Sequence, residues 1–127
     1  MARIVVISAA WNIILALISI ATAIDHLAAN EMTMAYHSFF FCIFLLYTSV
    51  TLILAARNLP ERASIIFWEG YLRFAAALTL VTIGPNAIGP MALPLALTDL
   101  AWGLIYQIGL CHASARTYRQ LLLDQTS

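Results

Sequence analysis

Glu69 and Arg73 stand four residues apart inside one long apolar stretch of this chain, and Asp99 stands inside the next. Asn12 interrupts the first such stretch. In water these would be ordinary surface residues. In hydrocarbon each charge costs about 2.5–3.5 kcal/mol on insertion scales, so an ionisable group there carries a functional meaning by default. Two acids and one arginine also leave a surplus. Arg73 neutralises one carboxylate, and the other becomes a candidate proton donor beside an ionised candidate base. Such a set can protonate or orient an oxygen of an epoxide, ketone or hydroxyl, hold a water, or abstract a proton.

The spacings place these groups on shared faces. Glu69 and Arg73 are i, i+4 on one helix face. Asp99, Trp102 and Tyr106 are spaced i, i+3, i+7 on another. Ser8, Asn12, Ala16, Ser19 and Ala23 form a small and polar stripe, and Tyr47, Thr48 and Thr51 cluster on the second helix. At 1.5 Å per residue, Asn12 lies roughly 12 Å from one end of its span, Arg73 roughly 15 Å and Asp99 roughly 13 Å. A lipid-facing carboxylate is nearly excluded, so these faces are expected to point inward at one depth, with Arg73 between Glu69 and Asp99 and with Asn12 and Tyr47 nearby. Trp68, Trp102, Tyr71 and Tyr106 can line an apolar pocket and stabilise a developing cation.

The elements that carry these residues follow from composition. The 127 residues are 63% hydrophobic and 9% charged, against about 25% charged in soluble domains. The mean hydropathy is +0.91. Four spans are expected, at about 4–24, 35–56, 63–83 and 91–113, each long enough to cross a ~30 Å core as a helix. The first run, Ile4 to Ile24, is longer than the apolar centre of a signal peptide and reads as a true span. Pro60 in the charged turn 57–62 ends the second helix. The 84–90 segment, with two prolines and two glycines, is the strongest turn signal, and Pro94 fits a first turn. The polar tail from Arg116 continues the fourth helix and then frays. The expectation is a single all-α domain over 1–127, an integral membrane four-helix bundle running up-down-up-down.

The six basic residues are all arginine, and the formal net charge is zero, which leaves no basic face for nucleic acid. Arg3, Arg57, Arg62, Arg116 and Arg119 fall in the N-terminus, the second loop and the tail, and the other two loops hold none. That bias puts both termini in the cytoplasm. With the short loops, it points to a bacterial inner (plasma) membrane. Cys42 and Cys111 read as buried free thiols at different depths. Asp25, His26, Glu31 and His37 gather at the outer side, but without a ligand spacing such as HxxxH, so neither a metal nor another cofactor is expected. No internal repeat is present, though a homodimer could supply a second half.

In layout, with few helices, midplane carboxylates and deep tryptophans, the chain resembles membrane sterol isomerases of the emopamil-binding type and membrane terpene cyclases. The likeness is one of layout and not of motif. It implies isomerisation or cyclisation and transfers no residue roles. The expected function is a small membrane enzyme doing acid–base chemistry (isomerisation, cyclisation or epoxide opening) on a lipophilic small molecule taken from the membrane lipids. Glu69 and Asp99 would be acid and base in either order, and Arg73 would tune them. Asn12, Tyr47, Trp68, Trp102 and Tyr106 would bind substrate. The alternatives are a small dimeric proton-coupled transporter and a non-catalytic accessory subunit of a membrane complex, whose ionic cluster is only structural.

Overall fold

The computed structural model describes residues 1–125, and 90% of the chain is helical, with no strand among the described residues. Among the described residues, four helices are long and apolar enough to cross a membrane. Helix α1 spans Ala2–Ala28, α2 Met32–Arg57, α3 Leu59–Thr82, and α5 Ala92–Ala113. A short helix α4, Gly84–Ile88, and a 3-10 turn, Gly89–Met91, lie before α5, and a last short helix α6 spans Tyr118–Leu122. The chain forms two compact units. One is Ala2–Arg57, and the other runs from Asn58 onward and takes in Met1.

In the first unit, α1 and α2 contain no glycine or proline, so nothing interrupts either ladder of hydrogen bonds. They pack antiparallel, since Asn12 meets Thr48 while Arg3 and Arg57 border one groove. The joint is short. Asn30 takes a left-handed conformation (φ 61°), which an asparagine tolerates better than most residues. The buried positions repeat at intervals of three, four and seven: Val5, Ala9, Asn12, Ala16 and Ala23 on α1, and Ala35, Cys42, Leu45, Ser49, Leu52 and Ala56 on α2. That is the spacing of a helix–helix seam, and its small residues let two backbones approach closely.

The second unit repeats the plan with different chemistry. Ala63, Phe67, Gly70, Arg73 and Ala77 of α3 are buried, as are Ala92, Ala96, Gly103, Tyr106 and Leu110 of α5. The turn from α2 to α3 is shorter than the sequence suggested. Asn58 alone separates the two helices, and Pro60 lies inside the first turn of α3. There its missing N–H deprives the helix of nothing, because that donor has no intrahelical partner anyway. The 84–90 segment also departs from a plain turn, since it winds into α4 and the 3-10 turn. Gly89 (φ 64°) takes the left-handed conformation that ends α4.

The tail does not continue the fourth helix. Ala115 turns left-handed (φ 53°), and α6 begins afresh at a capping box. The Gln120 N–H donates to Thr117 Oγ1 (3.3 Å), and the Thr117 N–H donates to Gln120 Oε1 (2.8 Å). The signal was local: a threonine followed three residues later by a glutamine.

The outward surface suits hydrocarbon. Ile7, Leu17, Phe40, Ile43, Leu78 and Leu97 are all exposed, a surface that would drive aggregation in water. The hydroxyls interspersed among them turn inward on their own helices. Ser19, Thr22, Thr51, Thr79, Thr82 and Thr98 each donate to the carbonyl four residues back, at 2.8–3.0 Å. Each donor is thereby satisfied without water.

Candidate functional site

Arg73 sits midway along the α3–α5 seam, roughly 21 Å from the start of α3 and roughly 14 Å from its end. Its guanidinium reaches two acids. Nη1 donates to Asp99 Oδ1 at 2.7 Å across the helix pair, and Nε lies 3.5 Å from Glu69 Oε1 one turn back on the same helix. The arginine side chain is 6% exposed, Glu69 12% and Asp99 18%. The three groups therefore form a carboxylate–guanidinium–carboxylate cluster that is almost wholly enclosed. Its two arms are unequal. The contact to Asp99 has the length of a strong charge-assisted hydrogen bond, whereas the contact to Glu69 is a Coulombic approach beyond hydrogen-bond range.

Close helix packing makes this reach possible. Gly70 and Gly103 face each other across the seam, one turn from the arginine. Below them, Gln107 Nε2 donates to the Phe67 carbonyl at 2.9 Å and ties the helices a second time. Sequence reasoning passed over Gly70, Gly103 and Gln107. The available signal was their register, because Gly103 follows Asp99, and Gly70 precedes Arg73, by one helical turn on the charged faces.

Tyr106 is fully buried on the Asp99 face of α5, with its ring 6.4 Å from that of half-buried Trp102. Trp68 is exposed on α3, next to Tyr71 (ring centroids 5.4 Å). Trp102 and Tyr106 thus accompany the cluster on its helix face, while Trp68 looks outward.

In the Ala2–Arg57 unit, Asn12 is buried and its Nδ2 donates to Thr48 Oγ1 at 3.1 Å. Thr48 also donates to the Leu45 carbonyl, as does its neighbour Ser49. Tyr47 is not on this seam. It is 69% exposed, because one residue along a helix turns the side chain by about 100° and Thr48 occupies the inward direction. Tyr47, expected to point inward beside the buried charges, therefore points outward, and Thr48 takes the inward place on α2.

At the loop end of the same unit, His26 Nδ1 meets Glu31 Oε2 at 2.5 Å, and His37 packs edge-on against Tyr36. Among the described residues no three His, Cys, Asp or Glu side chains converge. Cys42 and Cys111 are free thiols, the first buried and the second half-buried.

Comparison with protein-family models, with curated proteins and with solved structures finds no match. The chemistry of the cluster therefore has to be read from its own geometry.

Proposed function

We propose that this chain is an integral membrane enzyme in which Glu69, Arg73 and Asp99 perform acid–base chemistry on a lipophilic small molecule drawn from the bilayer. The observation that carries the reading is the unequal grip of Arg73 on its two acids, 2.7 Å to Asp99 against 3.5 Å to Glu69. Asp99, held by a direct charge-assisted bond, serves as the fixed anion that keeps the guanidinium in place. Glu69 touches the same charge without being locked to it, so it is the carboxyl free to give up and take back a proton. When Glu69 releases its proton to the substrate, Arg73 stabilises the carboxylate left behind. The Trp102 ring, on the Asp99 face, offers its π-face to positive charge developing on the substrate.

An isomerisation balances with these groups alone. The Glu69 carboxyl adds a proton at one substrate carbon or oxygen, and the carboxylate removes a proton from another position. The enzyme ends as it began, with no oxidant or other co-reactant consumed. Tyr47 and Trp68, being exposed, would meet a substrate only on its way through the lipid. We further read the four spans as running up-down-up-down with both termini in the cytoplasm, in a bacterial inner membrane. Arg3, Arg57, Arg62, Arg116 and Arg119 all lie towards the ends of spans remote from the loops around Asn30 and Gly89, which hold no arginine.

The test compares lipid-soluble extracts of cells producing the native chain, Glu69→Gln or Asp99→Asn at matched membrane levels. The expected result is a pair of isomeric compounds whose ratio changes with the native chain only. Unchanged ratios in all three, with the variants folded, would remove the catalytic reading. A pH-gradient-driven flux in liposomes that depends on Glu69 would replace it with transport.

A further inference from the structure

Arg3 and Arg57 stand at the open end of the α1–α2 hairpin, bordering a groove of about 470 Å³. The wall between them is apolar, built from Ala2, Val6, Ile7, Ile53 and Ala56. Both arginines are exposed, and among the described residues neither makes an ion pair with a carboxylate. Their depth follows from helix length. Helix α1 has 27 residues and α2 has 26, or about 40 Å each. That exceeds the ~30 Å hydrocarbon core, so the helix ends reach the headgroup layer. The groove thus offers two guanidinium groups at headgroup level and an apolar trough running from them into the hydrocarbon.

We propose that this groove binds one anionic phospholipid, with the phosphodiester between Arg3 and Arg57 and an acyl chain along Val6, Ile7 and Ile53. Guanidinium matches phosphate oxygens in forked, charge-assisted hydrogen bonds. A small water-soluble anion would use the arginines and leave the apolar wall unused. A choline phospholipid would bring its own cation up to two others. A lipid with an uncharged polar headgroup, of the phosphatidylglycerol class, satisfies both parts of the groove at once.

The test uses the full chain in bilayers of equal parts phosphatidylglycerol and phosphatidylcholine. Extraction in mild detergent is followed by native mass spectrometry of the retained lipid. The expected result is one retained phosphatidylglycerol, enriched roughly tenfold over phosphatidylcholine, since a basic side chain at the surface attracts anionic lipid by an energy of that order. Arg3→Gln with Arg57→Gln should erase the preference, and Arg3→Lys with Arg57→Lys should keep most of it. Ile7→Trp, which leaves both arginines in place and fills the trough, should lower retention while the helical circular dichroism stays native. Equal retention of the two lipids overturns the proposal. So does a preference that survives the double Gln variant, and so does a retention that Ile7→Trp leaves untouched.

Discussion

Gly103 of α5 lies so close to Gly70 of α3 that a Cβ on Gly103 would sit 3.1 Å from the Gly70 carbonyl oxygen. The same Cβ would fall 2.6 Å from the Phe74 ring. The ring can swing away, but the carbonyl belongs to a helix backbone and cannot. This approach sets the helix separation at which Arg73 spans to Asp99.

Replacing Gly103 with valine should therefore push α5 away from α3. The expected cost is about 1–3 kcal/mol, the usual range for overpacking a close interface. Unfolding in mixed micelles measures it. The Arg73–Asp99 contact should lengthen too, which a spin-label distance across the two helices reports. A variant as stable as the native chain, with an unchanged distance, would mean the glycines do not control the seam.

The charges of the cluster should prove worth more together than apart. Arg73→Met leaves Asp99 and Glu69 enclosed without their cation, and the expected loss is about 3–5 kcal/mol, as for other broken buried pairs. Arg73→Met combined with Asp99→Leu removes the bonded pair as a whole and should cost clearly less than Arg73→Met alone. Additive losses in this double-mutant cycle would count against direct coupling between the two residues.

In the first unit, Thr48→Val keeps the shape of the seam and removes the oxygen that accepts from Asn12. Hydrogen bonds between membrane helices average about 0.6 kcal/mol and reach about 1.7 kcal/mol. A destabilisation in that range is expected, visible as a lower unfolding midpoint. A cost near zero would assign the pairing of α1 with α2 to close packing of alanines alone.

Tyr118 gives a pH dependence outside the spans. Its hydroxyl hydrogen-bonds with that of Tyr71, which raises the Tyr118 pKa above the ordinary phenol value. A group whose folded pKa is raised stabilises the fold below its unfolded pKa, here about 10, and loses that contribution as pH climbs through the folded value. The docking of α6, where Tyr118 also packs edge-on against Phe67 (4.9 Å), should thus persist through neutral pH and weaken only in strong alkali. Phenolate absorbance follows the titration, and Tyr71→Phe should move the Tyr118 transition to lower pH. An unmoved transition would disprove the linkage.

Much of this molecule is legible in the order of its residues. Twenty-odd apolar residues in a row must become helix where no water can satisfy a backbone, so the four spans could be read from hydropathy, with ends off by a few residues. The i, i+4 spacing already put Glu69 beside Arg73, because neighbours on one helix are related by local geometry alone. The break before the tail is not legible in this way, because one left-handed residue, Ala115, decides where a helix stops, and hydropathy does not register a dihedral angle.

Tertiary structure alone decided the rest. Which acid Arg73 grips depends on how near α5 comes to α3, and that distance follows from two glycines meeting across the seam. Which residue of α2 answers Asn12 depends on the rotation of that helix, so Thr48 faces inward and Tyr47 outward. Composition and period belong to single helices and are written in the chain. Separation and rotation belong to pairs of helices, and only packing supplies them.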